Sequence, residues 1–501
     1  MACRLVKEHI RPLRWVGQGS MQTAVEGAVM TGESSVQLVT AEAEGAVQLI
    51  EVKNDGIAVQ GTAEFAVLYL DTQGQLRSDT AQNGFAAVIP VEGAAAGQQA
   101  QVKATVTGVT VVQRGGRLEM TAQLLLCGAV TEETQLSAAV DAASDEELAK
   151  KYVRLQTLST AAAQQSRERL SETVPIAQEG MQRVVWSKPH AEITYTQAMD
   201  GAAEVTGLVV MDCLLSGETA GDAVWQRMEL PFVTELAGDG IRSDMQLSID
   251  AQVRDGNVHV TETEDGGAAA LHAECTLVLG AQGRRLQETE VLQDAYPLTE
   301  QPFEAVPTLV QVVGALEERE QTQVVEAVLE LPPDAPPIRH IVGAFAAPVM
   351  LETVAGDEMR AEGLLRVTLL YRTDGQEALE RYEQEVPFGV TFDEIKGLDQ
   401  VWRIEVNDAE AQRLGPMQAQ VRVEVEMEAQ QAVQAQTQVV ETIRTEGEPA
   451  VLPAGITLYY PEGNEGAWEV AKRYRVRQEA LKMPEEGRNA PVMVYRRLTA
   501  F

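Results

Sequence analysis

Apolar and polar residues alternate one by one over long stretches of this chain. Val421, Val423, Val425 and Met427 alternate with Arg422, Glu424, Glu426 and Glu428. A period of two puts one set on a buried face and the other on a solvated face of a β-strand. Leu118–Cys127 and Leu271–Leu279 read the same way. A second kind of strand is a nearly continuous apolar run headed by glycine. It occurs three times, as Gly61-Thr-Ala-Glu-Phe-Ala-Val-Leu-Tyr69, Gly207-Leu-Val-Val-Met-Asp-Cys-Leu-Leu215 and Gly363-Leu-Leu-Arg-Val-Thr-Leu-Leu-Tyr371. A phenylalanine follows each copy by 16 or 17 residues: Phe85 after Gly84, Phe232 after Pro231 and Phe388 after Pro387. The copies are offset by 146 and 156 residues (207−61 and 363−207). Intervals that long are whole domains, not solenoid repeats of about 20–50 residues.

Each unit opens with a strand-like segment: Met21–Val29, Arg169–Ile176 and Gln323–Leu331. Next come apolar residues three or four apart: Val47 and Ile50; Met181, Val184 and Val185; Ile338, Ile341 and Val342. That spacing predicts one short helix per unit, and Pro336-Pro337 suits a first helical turn. Turns are expected at Asn54-Asp55-Gly56, Asp200-Gly201 and Gly356-Asp357, then at Asp71–Gly74 and Thr373–Gly375. Ser144-Asp-Glu-Glu147 has the form of a capping box. The expectation is a mainly β chain of three sandwich- or barrel-like domains with short helices, at 1–145, 146–300 (the divergent copy, lacking the tyrosine) and 301–450, followed by a small module at 451–501.

Composition narrows the function classes. Of 501 residues 45% are apolar but only 5% aromatic, so the cores must be built mostly of aliphatic side chains. The net charge is −35, which sets the chain against nucleic-acid phosphates and anionic membrane surfaces. No apolar run reaches the length of a membrane span, and Met1–Ile10 lacks the apolar core of a signal peptide, so a cytosolic protein is expected. Cys127, Cys213 and Cys275 lie inside apolar strands and read as buried thiols.

Catalytic and ligand-binding patterns are missing. His9, His190, His259, His272 and His340 have no metal-ligand spacing along the chain, and Cys-x-x-Cys, phosphate-loop and dinucleotide fingerprints are absent. Glu262, Glu264 and Asp265 sit beside Gly266-Gly267 and read as a solvated turn. The expectation is a protein that is not an enzyme, with no cofactor and no metal. Arg4, Lys7, Arg11 and Arg14 form a basic strip, read as a charged strand edge, or as a docking strip for an acidic neighbour such as a second copy.

The last residues change character. Ile456–Tyr460 reads as a strand, Ala467–Tyr474 as an amphipathic helix, Gln478–Leu481 as a second short helix and Pro491–Tyr495 as a closing strand. With Trp468-x-x-Ala471-Lys-Arg-Tyr474, this β-α-α-β order resembles a LysM domain. The loops at Asn464–Ala467 and Met483–Arg488 depart from the family's glycan-groove pattern. The tail is also basic, with Lys472, Arg473, Arg475, Arg477, Lys482, Arg488, Arg496 and Arg497. Tyr459, Tyr460, Trp468, Arg473, Arg477 and Tyr495 are the candidate partner-binding residues.

Three glycine-headed strands, each with its downstream phenylalanine, followed by a LysM-like tail, resemble the SPOCS-domain family. That family includes the SipL-type spore coat morphogenetic proteins of endospore-forming bacteria. The resemblance implies a non-enzymatic scaffold in the mother-cell cytoplasm and then at the forespore surface. Its implied partner is the basement-layer ATPase SpoIVA, with self-association a further option. A peptidoglycan- or glycan-binding protein acting through the tail is the alternative.

Overall fold

The computed structural model describes residues 3–218, 222–262, 269–354, 360–373, 379–391, 401–452, 454–462, 465–483 and 491–496. Unit one contains β1 (Cys3–Ile10), β2 (Leu13–Met30), β3 (Gln37–Lys53), β4 (Gly56–Leu70), β5 (Leu76–Pro90), β6 (Gln99–Arg114), β7 (Arg117–Glu133) and β8 (Leu136–Ser144). Unit two contains β9 (Leu148–Ala162), β10 (Ser166–Pro175), β11 (Met181–Met199), β12 (Ala202–Gly217), β13 (Ala223–Ala237), β14 (Gln246–Glu262) and β15 (Ala269–Pro297). Unit three contains β16 (Glu304–Glu330), β17 (His340–Val354), β18 (Arg360–Arg372), β19 (Leu379–Thr391), β20 (Val401–Gly415) and β21 (Gln418–Arg444). A last module holds β22 (Gly455–Tyr459), α1 (Ala467–Tyr474), a 3-10 turn at Gln478–Ala480, β23 (Leu481–Lys482) and β24 (Val492–Arg496).

Every unit pairs two antiparallel sheets: β3-β4-β5 over β2-β7-β6, β11-β12-β13 over β10-β15-β14, and β17-β18-β19 over β16-β21-β20; each has three strands except that of β10-β15-β14, where β9 also pairs with β15. The alternating strands supply one inner face. Val421, Val423, Val425 and Met427 are at most 2% exposed, and Leu118, Met120, Ala122, Leu124 and Leu126 at most 1%. The glycine-headed strands β4, β12 and β18 are the centres of the facing sheets. Phe85 pairs across the sheet with Gly61, Phe232 with Gly207, and Phe388 with Gly363. All three rings are buried in the core of their own unit. The repeat is therefore a physical site: a ring covers the bare backbone of the glycine opposite.

The short helices expected in the three units are not found among the described residues; those segments are the strands β3, β11 and β17. β-Bulges account for the misleading spacing. Register slips occur between Val47 and Leu49, between Met181 and Arg183, between Val184 and Trp186, and between Ile341 and Gly343. One extra residue in a strand brings apolar side chains three apart onto the same face. Ile338 lies ahead of β17 in a loop and is buried, with its N–H donating to the Pro416 carbonyl at 2.7 Å. Ser144–Glu147 is a turn rather than a helix start; the Ser144 hydroxyl accepts from the Glu146 N–H at 3.1 Å. The turns at Asn54–Gly56, Asp200–Gly201 and Asp71–Gly74 are present. The expected turns at Gly356-Asp357 and Asp374-Gly375, and Glu264-Asp265, lie outside the described residues.

The units pack around a common axis, and this explains why β4, β12 and β18 end in continuous apolar runs. Val67 and Tyr69 face the core of unit one, whereas Leu68 and Leu70 face away from it into a cluster shared by all units. That cluster takes equivalent residues from each unit: Leu68, Leu214 and Leu370; Leu76, Ala223 and Leu379; and the bulged residues Val39, Val185 and Val342. A strand buried on both faces cannot alternate. Trp186 and Phe345 complete the cluster, and the exposed Trp225 lies beside it, with the Phe345 ring 6.4 Å from Trp186 and 5.8 Å from Trp225. Guanidinium groups tie neighbours together. Arg183 donates to the Leu76 carbonyl at 3.0 Å, and Arg372 to the equivalent Ala223 carbonyl at 3.3 Å.

Two further clusters are shared. Leu13, Leu158 and Val313 meet, one from each unit. Beyond them the first and last strands of each unit extend as ribbons, β1 with β8, β9 with the end of β15, and the start of β16 with the end of β21. Ile10, Ala138, Leu155, Val291, Leu292, Val310, Val312, Val439 and Val440 form their joint core. Cys127, Cys213 and Cys275 are buried, as expected; burial pushes the Cys213 thiol up to about 12.

Candidate docking surface on the C-terminal module

Helix α1 is eight residues long, too short to stand alone in water. Local charge and burial hold it. The Glu469 carboxylate accepts from the Gly466 N–H at 2.9 Å at the start, and Lys472 and Arg473 occupy the last turn. Val470 and Ala471 are fully buried against Val492 and Val494 of β24. The β-α-α-β order expected for this module is corrected: the second helix is a single 3-10 turn, and a two-residue strand follows it.

The helix joins the module to the end of unit two. Asp294 is the centre of that junction, accepting from the Trp468 indole N–H at 2.8 Å and from the Lys472 ammonium at 2.7 Å. The Trp468 ring lies edge-on to Tyr296 with centroids 4.8 Å apart. The Tyr296 hydroxyl donates to the Val476 carbonyl at 2.8 Å, and burial pushes this phenol up to about 12. Arg475 donates to the Thr299 carbonyl at 2.7 Å, Arg496 pairs with Glu300 at 3.2 Å, and Arg477 pairs with Glu147. The acidic surface that these basic residues meet is therefore on their own chain.

A second set of contacts closes the module internally. The Tyr459 hydroxyl donates to Glu465 at 2.6 Å, and Arg473 pairs with the same carboxylate at 2.5 Å. The Tyr459 hydrogen bond, supported by Arg473, holds the Glu465 carboxyl below its ordinary range. The Arg473 guanidinium also sits 5.0 Å from the centroid of the Tyr459 ring.

Of the six candidate residues, Trp468, Arg473, Arg477 and Tyr459 thus serve junction or module. Tyr460 and Tyr495 face solvent, 66% and 43% exposed. The fold brings them together with two residues that sequence reading passed over, Ile456 and Leu458, 68% and 59% exposed. Ile456 pairs across the sheet with Tyr495, and Leu458 with Met493. Ile456, Leu458 and Tyr495 lie on the outer face of the sheet β22-β24-β23, with Tyr460 one residue past β22, and the inner face carries Val492 and Val494 beneath α1. The signal was present: in Ile456–Tyr460 and Val492–Tyr495 apolar residues occupy both alternation classes. Among the described residues β22 is also an edge strand, paired only with β24. Lys482, exposed and paired across the sheet with Met493, shares this otherwise apolar face, which suits contact with another protein surface rather than holding an ion. Asn464, and residues 484–488 of the second departing loop, lie outside the described residues. The N-terminal basic strip is partly engaged within the chain, Arg14 with Glu132 and Lys7 with the Glu441 carbonyl at 3.1 Å.

Residues 36–113 match the family model described as SipL, SPOCS domain. The chain carries a SPOCS domain. The matched residues span β3, β4, β5 and β6, including the Gly61–Phe85 pair. The same succession of four strands recurs as β11–β14 and β17–β20, with Gly207–Phe232 and Gly363–Phe388 in the same cross-strand relation. The strand arrangement of the matched segment thus recurs twice beyond it. No curated protein matches the chain. A LysM identity for the terminal module finds no support, since its described residues hold one α-helix where that fold needs two.

Proposed function

We propose that this chain is a non-enzymatic scaffold of endospore coat assembly, which links basement-layer proteins around the forespore through protein–protein contacts. The SPOCS match suggests a role in sporulation. The observation that carries the scaffold reading is the apolar outer face of Ile456, Leu458, Tyr460 and Tyr495 on a module fastened to unit two. A three-unit body with shared cores is a rigid base for such a face. The partner implied by the family resemblance is the basement-layer ATPase SpoIVA, met in the mother-cell cytoplasm and retained at the forespore surface.

The test is capture of that ATPase by the full chain, compared with the Leu458→Asp/Tyr460→Asp variant. A charge on the outer face should abolish capture while leaving the melting transition of the body unchanged. Capture unaffected by both substitutions would remove the face from the reading. Saturable binding of peptidoglycan or chitin oligomers that is lost in Tyr460→Ala, without capture of the ATPase, would favour a glycan-binding role. Expression in vegetative cells at the level reached during sporulation would count against the coat assignment.

A further inference from the structure

His259 and His272 are thirteen residues apart in sequence and show no ligand spacing (272−259). The fold makes them directly opposed cross-strand neighbours on β14 and β15. Their flanking residues Val258, Leu271 and Ala273 point into the core of unit two, so both imidazoles stand on the outer face of the sheet. The ring centroids are 5.2 Å apart and the planes are inclined by 61°. We propose that this pair is a two-histidine site for a divalent transition metal of the Zn²⁺, Ni²⁺ or Cu²⁺ class.

Three observations carry the assignment. The first is distance. An imidazole nitrogen binds Zn²⁺ at about 2.0–2.1 Å, which sets ring centroids about 5.2 Å apart across a tetrahedral ion. The separation found already meets that value, and the remaining adjustment is rotation about χ2, a soft torsion in histidine. The second is orientation. Thr173 of β10, the neighbour of His272 on its other side, has its hydroxyl 2.8 Å from Nδ1 of that ring. In the metal-bearing tautomer Nδ1–H donates to the hydroxyl and Nε2 is left to the ion, the arrangement that fixes most metal-bound histidines. The third is electrostatic. Two imidazoles facing each other across a strand pair repel when both are protonated, and an ion shared by the neutral rings replaces repulsion with bonding.

Glu274, two residues along β15 on the same face, pairs with Arg169 at 2.8 Å and is left out of the ligand set. Among the described residues no third histidine, cysteine or carboxylate joins the pair. Two protein donors leave positions for water or for a donor from another molecule, so the site is open.

The experiment is calorimetric titration of the chelator-treated full-length protein with Zn²⁺, Ni²⁺ and Cu²⁺ chlorides, together with EPR of the Cu²⁺ form. One saturable site per chain is expected for at least one of these ions. His259→Ala and His272→Ala should each weaken it at least tenfold, and the EPR spectrum should show two nitrogen donors. Thr173→Val should weaken binding less than either histidine change. Both histidines are at the surface, so the variants should melt like the parent without metal. The absence of saturable binding would overturn the proposal. So would affinity that survives in the His259→Ala/His272→Ala double variant, which would place the ion on carboxylates of this acidic chain.

Discussion

Substitution of Gly363 by alanine tests the physical basis of the repeat. A Cβ at Gly61 would lie 2.5 Å from Phe85 Cζ, one at Gly207 2.7 Å from Phe232 Cζ, and one at Gly363 2.9 Å from Phe388 Cε1. At each site the same Cβ would also overlap a backbone carbonyl of the neighbouring strand, that of Ala46, Glu192 or Met350. Each of these carbonyls lies beside a β-bulge. None of the three glycines has a positive φ, so the reason for glycine is space and not backbone conformation. Overpacking costs about 1–3 kcal/mol, and a carbonyl has no rotamer through which to escape, so the upper part of that range applies. Alanine is intrinsically better than glycine in a strand by about 0.5–1 kcal/mol, leaving a net loss of about 2 kcal/mol for Gly363→Ala. Gly280 in β15 is the control, since no atom lies within 4 Å of its added Cβ. There the intrinsic gain of about 0.5–1 kcal/mol should be seen alone. The assay is urea unfolding followed by far-UV circular dichroism, read as a change in midpoint at constant slope. Phe388→Ala should cost about 3–5 kcal/mol, as for other buried phenylalanines. In the double variant the ring contact is gone but the Met350 carbonyl remains, so the alanine penalty should shrink without vanishing. If Gly363→Ala and Gly280→Ala had equal effects, ring-over-glycine packing could not explain the repeat.

The other predictions concern the contacts that join parts of the chain. Phe345→Ala, at the axial cluster, should destabilise the body by about 3–5 kcal/mol and change the tryptophan fluorescence of its neighbours Trp186 and Trp225; an unchanged spectrum would mean that the three units do not share that core. Asp294→Ala removes the acceptor of both Trp468 and Lys472, so limited proteolysis should release residues 455–501 from an intact body at protease levels that leave the parent uncut. The Tyr296 phenol, at about 12 in the folded chain, is raised from an ordinary value near 10, so the stability it contributes is complete below pH 10 and is lost as pH rises through 12. Tyr296→Phe should flatten that part of the pH profile; an identical alkaline loss in both proteins would place the titrating group elsewhere. At the acid end, Glu465 is held low by Tyr459 and Arg473, so its contribution is present above the ordinary carboxylate range and disappears as pH falls through the lowered value, which Glu465→Gln should abolish.

Strand periodicity, the threefold recurrence of Gly61, Gly207 and Gly363, and the boundaries of helix α1 were all legible in the amino-acid order, because each depends on residues near in sequence or on repetition along it. The short helices were misread because a β-bulge and a helical turn both bring residues three apart onto one face, and the difference lies in the partner strand. The charge of the tail was legible, but its recipient was not. Lys472, Arg475, Arg477 and Arg496 meet Asp294, Thr299, Glu147 and Glu300 across more than 170 residues of chain. The outer face of Ile456, Leu458, Tyr460 and Tyr495 was half visible, since two apolar alternation classes in one strand do not say which class the helix covers.

The sequence by itself determined the mainly β character, the repeated strand with its phenylalanine and the acidic surface, since these follow from local side-chain preference and composition. Tertiary structure alone decided that the three units share an axis, that Leu68, Leu214 and Leu370 belong to it rather than to their own cores, that His259 stands opposite His272, and that Lys472, Arg475, Arg477 and Arg496 of the basic tail are bound at home. Each of those facts is a contact between residues far apart along the chain, and its energy exists only once antiparallel register and unit packing have brought the two sides together.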